Sequence, residues 1–150
     1  MQFVTSAQER TFAKVGTYLG ELFGDKVEQI EEKPQFLLAR GSAAASIAVF
    51  PRGDDTVVSV RAWVVFEPRI TLELCQFLLH ENSRIQFGAF GLAGDNDVFF
   101  RYSLVGSTIN RQDLEAAVLT VLGTADDFDD IIKARFGGQR GADVVREDET

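Results

Sequence analysis

The sequence predicts an α+β domain in which a five-stranded antiparallel sheet packs against three helices. Two observations lead to this fold class. Three segments carry apolar residues at helical spacing behind capping residues, and five short segments rich in β-branched and aromatic residues are separated by turn or helix signals. The resulting order is α-β-β-β-α-β-β-α, and strands joined by short turns pair antiparallel. A chain of 150 residues is long enough for one such domain.

The first helix is predicted at about residues 7–23. Ser6 and Glu9 form a capping box at its start, and Gly24 ends it. The residues between them include apolar side chains at helical spacing, which predicts one buried face. That apolar stripe consists of Phe12, Val15, Leu19, Leu22 and Phe23.

Three strands follow a polar connector. Gly and Ser at residues 41–42 form a tight turn between the first two strands, and residues 52–55 form a hairpin turn before the third. The third strand is largely apolar on both faces, whereas a strand with one wet face alternates more cleanly. We therefore expect its second face to be covered by a helix, another subunit or a bound segment. The three predicted strands are 36–40, 44–50 and 56–66.

The second helix is predicted at about residues 72–82, with Thr71 as its N-cap and Glu73 in its first turn. It is apolar nearly all round, which indicates deep burial or an interface. Cys75, the one cysteine, lies within it and is expected to be a buried thiol. A single cysteine excludes an intramolecular disulfide.

A second hairpin and a long helix complete the predicted domain. Strands at 85–92 and 98–105 flank a polar turn, and Asn110 caps a helix that continues to about Phe136. Glycines end the helix, and the remaining residues are charged with little to bury. The sequence therefore predicts a domain at 1–136 and a disordered acidic tail at 137–150.

An ordered set of features in the second half of the chain indicates a family. The set comprises an apolar helix ending at Asn82, a strand with Phe87 and Gly88, an acidic turn at 95–97, a strand with Arg101, and a long helix. It resembles the YbjN-type family, which is grouped with type III secretion chaperone-like domains, and the predicted order of elements resembles it too. The resemblance implies a domain that binds peptide segments or other proteins, usually as a homodimer, without a catalytic residue.

Charge and composition exclude several classes of function. The net charge is −8, which opposes binding to nucleic acid or to an anionic membrane surface. No apolar run is long enough to span a membrane, and no signal peptide is evident, so a cytoplasmic location is expected. His80 is the one histidine and Cys75 the one cysteine, too few for a structural zinc site or a recognisable nucleophile–base pair. The sequence thus predicts no enzymatic activity, metal or cofactor.

Two arginines within apolar strands are the strongest candidates for contact with a partner. An arginine in such a strand must keep its guanidinium in water or pair it with a carboxylate, so internal pairing is the alternative to partner binding. Arg61 and Arg101 lie in such strands, and tryptophan and arginine are enriched at binding hot spots. The candidate partner-binding residues are Arg61, Trp63, Val65, Phe66 and Arg101.

A group of aspartates on the third helix is a second candidate surface. Asp126, Asp127 and Asp130 form a possible acidic patch, which is either a solvated helix face, a weak cation site or a contact for a basic partner. Two functional hypotheses follow. The first is a non-enzymatic, homodimeric, chaperone-like module that shelters an apolar segment of a protein or peptide partner. The alternative is a regulatory or scaffolding protein that binds a folded partner through this acidic face.

Overall fold

The computed structural model of the chain describes residues 1–141 and 143, and it places three helices on one face of an antiparallel sheet. The helices are α1 (Ser6–Phe23), α2 (Leu72–Arg84) and α3 (Arg111–Phe136). The strands are β1 (Val27–Gln29), β2 (Gln35–Arg40), β3 (Ala43–Arg52), β4 (Asp55–Phe66), β5 (Ala89–Leu92), β6 (Val98–Val105) and β7 (Gln139–Arg140). The sheet order is β1-β2-β3-β4-β6-β5, and β7 pairs with β4.

The predicted α+β class is confirmed, with seven strands among the described residues instead of five. β1 lies in the stretch predicted as a polar connector. The strand predicted at 85–92 begins only at Ala89, because α2 and the turn after it occupy the preceding residues. β7 lies beyond the predicted domain boundary at residue 136, within the predicted tail at 137–150. For residues 142 and 144–150, that prediction falls outside the described residues.

Side-chain caps fix where each helix begins. Thr71 caps α2 by accepting a hydrogen bond from the Leu74 amide at 3.1 Å, and Asn110 caps α3 in the same way, as predicted. The cap of α1 is Thr5, whose hydroxyl accepts from the Gln8 amide at 3.1 Å. The sequence placed this cap one residue later, at Ser6, because both residues have the hydroxyl that a cap requires.

The hydrophobic core lies between the helices and one face of the sheet, here called the inner face. Val58 and Val60 of β4 are fully buried there against α1 and α3. Phe100 of β6 is also fully buried, and its ring meets that of Phe90 edge to face at 5.0 Å. Each such side chain contributes roughly 1.5–3 kcal/mol through burial. The core therefore fixes the register and leaves the opposite side chains of every strand on the outer face.

The helices α1, α2 and α3 pack on the inner face of the sheet, so none of these three covers the outer face. Along β4, the side chains of Ser59, Arg61 and Trp63 alternate with the buried ones and are partly exposed. The alternation breaks at a β-bulge: Trp63 pairs with Phe99, but it is Val65, two residues on, that pairs with the adjacent Val98.

Asn82 attaches the end of α2 to the edge strand β5. Its side-chain carbonyl accepts from the Phe90 amide at 2.7 Å, and its side-chain amide donates to the Phe90 carbonyl at 3.0 Å. A side chain thus satisfies edge groups that a further strand would otherwise bind. Cys75 of α2 is partly exposed and not buried as predicted, because it lines the groove between this helix and β5.

Candidate partner-binding face

Arginine and aromatic side chains come together on the outer face where β4 and β6 pair. Arg61 lies directly opposite Arg101, and Trp63 lies opposite Phe99. Phe66 follows at the end of β4, with its ring 5.3 Å from that of Trp63. We call these residues the arginine–aromatic cluster: Arg61, Trp63, Phe66, Phe99 and Arg101.

Both arginines of the cluster lie over aromatic rings. The guanidinium of Arg61 is 4.5 Å from the centre of the Trp63 ring, and that of Arg101 is 5.3 Å from the centre of the Phe99 ring. The two rings meet edge to face at 6.2 Å. Cation–π contacts of this kind contribute roughly 0.5–1 kcal/mol at exposed sites. They also restrict the positions of the guanidinium groups.

The two arginines have no acidic partner within the described residues. The ion pairs of that part of the chain involve other arginines. Burial lowers the pKa of Arg61, and the neighbouring positive charge of Arg101 lowers that pKa further. The pair thus concentrates positive charge on a partly desolvated surface of a chain that is acidic overall.

A shallow groove continues the cluster towards β2. It has a volume of about 240 Å³ and is bordered by both Arg61 and Trp63. Apolar side chains from the β1–β2 region, including Ile30 and Leu37, form part of its wall, and Lys33 adds a further cation. The groove can therefore accept an apolar side chain next to a negatively charged group.

The structure brings together four of the five residues predicted from the sequence to bind a partner. Val65 is the exception: it is fully buried, because the bulge at Val64 turns it away from the outer face. Phe99 belongs to the cluster, and sequence reasoning missed it. The period-two pattern of β6 places Phe99 and Arg101 on one face, but only the pairing register sets them beside Trp63.

The acidic residues of α3 are partly used within the chain. Asp126 accepts a hydrogen bond from Ser42, and Asp130 lies 3.9 Å from Arg140. Asp127 is exposed. Between them, Asp129 is 3% exposed, and burial raises its pKa above the usual range of an aspartate. The patch is therefore tied in part to the loop before β3 and to β7.

A second apolar surface lies on α2 beside the edge strand β5. Leu72 and Leu79 are 74% and 68% exposed, respectively. Leu79 borders a groove of about 220 Å³ that also contains Cys75 and Leu92. The sequence indicated deep burial or an interface for this helix, and these exposed leucines favour an interface.

The described residues contain neither a candidate metal site nor a candidate membrane span. In residues 1–141 and 143, no group of three or more His, Cys, Asp or Glu side chains could hold a metal ion. Nor does any helix of that part of the chain combine the length and apolar character needed to cross a membrane. His80 is exposed near the end of α2.

Comparison with protein families decides the class. The family described as "T3SS (YopN, CesT) and YbjN peptide-binding chaperone 1", TY-Chap1, matches residues 10–144. The chain belongs to the TY-Chap1 family. The resemblance predicted from the sequence is thus confirmed, and membership of a chaperone family implies a non-enzymatic role. No curated protein sequence matches the chain significantly.

Solved structures share the fold of this TY-Chap1 protein. One is the ExsC–ExsE complex, with a TM-score of 0.65 and 11% identity over 85% of this chain and 97% of the other. Another is the Yersinia pestis type III secretion chaperone SycH bound to a stable fragment of YscM2, with a TM-score of 0.58 and 12% identity over 78% of this chain and 98% of the other. At these identities the likeness shows the fold alone.

Proposed function

We propose that this TY-Chap1 protein shelters an extended, apolar segment of a partner protein on the outer face of its sheet. One observation carries the proposal: the outer face holds the aromatic rings of the cluster, and none of the helices α1, α2 and α3 lies over them. Trp63, Phe66 and Phe99 are all partly exposed there. Aromatic side chains of this size dominate the energetics of interfaces when a partner covers them.

The dimensions of the outer face suit an extended peptide. Phe50 and Val105 lie at its opposite end, 52% and 46% exposed, on either side of Val57. Trp63 lies six positions after Val57 on β4, a distance of roughly 20 Å at about 3.3 Å per residue. An extended segment of about seven residues would therefore contact both apolar ends.

The sole tryptophan makes this proposal directly measurable. Because Trp63 is the one tryptophan of the chain, its fluorescence reports on the cluster alone. Titration with extended peptides of about 12 residues, each carrying Phe and Leu in a Ser/Thr background, should shift its emission to the blue as the ring loses water. Unchanged emission in the presence of a bound, fluorescein-labelled peptide would place binding elsewhere and overturn the proposal.

Paired variants separate a loss of contact from a loss of folding. Phe99→Ala should weaken peptide binding by about tenfold, since truncation of an aromatic anchor typically costs more than 1 kcal/mol. Leu119→Ala, a similar truncation of an exposed apolar side chain on α3, should leave binding unchanged. Circular dichroism checks that both variants are folded. Equal affinities of the two variants would contradict the role of the cluster.

We propose the homodimer as part of the same function, with α2 and the edge strand β5 as the contact. The exposed Leu72 and Leu79 support this choice, and Leu79 also lines an apolar groove. Light scattering on an eluting size-exclusion peak should give twice the chain mass. Leu79→Glu should give the mass of one chain, whereas Leu119→Glu should remain dimeric. A wild-type protein that elutes as a single chain would overturn this part of the proposal.

The alternative, a regulatory or scaffolding protein that binds a folded partner through its acidic face, has weaker support. Asp126 and Asp130 already contact Ser42 and Arg140, so fewer charges are free for a partner. Salt separates the two functions, because binding through exposed aspartates weakens as ionic strength rises, whereas apolar capture persists. Binding that is lost in salt and on Asp127→Asn, yet indifferent to Phe99→Ala, would favour the alternative.

A further inference from the structure

Arg61 and Arg101 form a pairing that the fold alone does not explain. They are directly opposite on neighbouring antiparallel strands, a position where like charges destabilise a sheet. The chain has 23 acidic residues against 15 basic ones, so carboxylates are plentiful. Nevertheless, no described carboxylate forms an ion pair with either arginine. The fold thus keeps two cations adjacent, and no carboxylate in residues 1–141 or at 143 neutralises them.

The surroundings of the two arginines favour a carboxylate as the missing group. A guanidinium binds a carboxylate through two parallel hydrogen bonds, and the contact strengthens where water is partly excluded. Arg61 is only partly exposed, and the rings of Trp63 and Phe99 restrict both guanidinium groups. One carboxylate between the two strands would relieve the repulsion and use these restrained donors.

We propose that the segment sheltered on the outer face carries an aspartate or glutamate, which Arg61 and Arg101 bind together. This inference rests on the proposed function and specifies its ligand. In an extended peptide, side chains two positions apart lie on the same face, roughly 7 Å from each other. Arg61 and Trp63 are likewise two positions apart on β4. The preferred ligand is thus an acidic residue two positions from an apolar one, with the apolar side chain against Trp63 or in the adjoining groove.

The test compares two peptides that differ by one functional group. The first is a fluorescein-labelled peptide of about 12 residues with Glu two positions before Phe in a Ser/Thr background, and the second replaces that Glu with Gln. Fluorescence anisotropy with the full chain should show about tenfold tighter binding of the Glu peptide. If both peptides bind equally, the acidic preference is wrong while peptide sheltering stands. If neither binds, both proposals fail.

Variants of the two arginines test whether they produce the preference for the Glu peptide. Arg61→Gln and Arg101→Gln should each abolish the discrimination, so that either variant binds the Glu and Gln peptides within about twofold of each other. Arg61→Lys should retain part of the discrimination, since it keeps the charge and loses the paired donors. Arg10→Gln, on the exposed side of α1, makes the same change in net charge and should leave the discrimination intact. Discrimination that survives in Arg61→Gln would overturn the inference.

The acidic residues near the C-terminus offer a competing ligand within the chain itself. Glu147, Asp148 and Glu149 belong to the same polypeptide as the arginine pair. A full-length variant carrying Gln, Asn and Gln at these positions should bind the Glu peptide within about twofold of the wild type. A gain of about tenfold would identify the chain's own acidic segment as the occupant and overturn binding of a partner's acidic residue.

Discussion

The bond pair between Asn82 and β5 offers a sharp test of how the edge of the sheet is held. The Phe90 amide and carbonyl face away from β6 and bond to the Asn82 side chain at 2.7 and 3.0 Å, respectively. Asn82→Ala removes both bonds and exposes the edge of β5. We therefore predict a less stable fold in which β5 opens more readily than the rest of the sheet.

The size of the effect follows from the two bonds. Each contributes about 1 kcal/mol to stability, so Asn82→Ala should lose about 2 kcal/mol. In a domain of this length, 1 kcal/mol corresponds to about 2–4 °C in Tm, which gives a decrease of about 4–8 °C. Asn82→Asp keeps the acceptor for the Phe90 amide but sets a carboxylate oxygen against the Phe90 carbonyl. The stability that Asn82→Asp loses at pH 7 should be partly restored on acidification, because a protonated carboxyl can donate a hydrogen bond to the Phe90 carbonyl.

Urea unfolding followed by circular dichroism measures the loss, and hydrogen exchange at the Phe90 amide localises it. Ser83→Ala is the matched control, since this neighbouring residue is exposed and bonds only within α2, to the His80 carbonyl. It should change stability by less than about 0.5 kcal/mol. An Asn82→Ala variant that is as stable as Ser83→Ala, with a Phe90 amide that exchanges as slowly as in the wild type, would refute this prediction.

Three further predictions concern buried residues. The Thr11 and Thr56 hydroxyls share a buried hydrogen bond of 2.8 Å. Thr11→Val should therefore lower the free energy of unfolding by about 1–3 kcal/mol, because the Thr56 hydroxyl loses its partner, and adding Thr56→Val should recover part of that loss. Strictly additive losses of stability in urea unfolding would contradict this prediction. Burial raises the pKa of Asp129, so the folded chain binds its proton more tightly than the unfolded chain, and stability falls as pH rises from about 4 to the folded-state pKa. Asp129→Asn should therefore raise Tm at pH 7 and flatten this dependence, whereas the exposed Asp127→Asn should do neither. Phe100→Ala should lower the free energy of unfolding by about 3–5 kcal/mol, because it opens a cavity in the core. A loss under about 1 kcal/mol would show that neighbouring side chains move in to fill the cavity.

Local signals explain which elements could be predicted from the sequence. Thr71 and Asn110 cap helices through bonds to amides three residues away, so the residues that decide the start of a helix are adjacent in the chain. β1 and β7 lack such a signal, being three and two residues long. They are strands only because β2 and the free end of β4 offer backbone partners, and β7 reaches the latter after the whole of α3.

The candidate site shows the same division between local and long-range information. Arg61 and Trp63 are conspicuous within an apolar strand, so composition alone marks them. Val65 follows the same period but is buried, because a bulge adds one residue to β4 opposite β6. Phe99 becomes part of the site through that same pairing. β4 and β6 are separated in the chain by α2, so their pairing register is set by how the core packs and cannot be predicted from the pattern of either strand.

The two proposed contact surfaces lie on different sides of the molecule, and this separation has a consequence for the assembly. The outer face belongs to the middle of the sheet, where β3, β4 and β6 adjoin, whereas Leu72 and Leu79 lie on α2, which packs on the inner side next to β5. Two copies joined through α2 would therefore leave both outer faces open. Each copy would keep a complete arginine–aromatic cluster, since every member of the cluster comes from β4 or β6 of one chain. We propose that such a dimer would bind two segments, or two parts of one segment. Its affinity for a long partner would then rise because the two sites are linked, without any new contact.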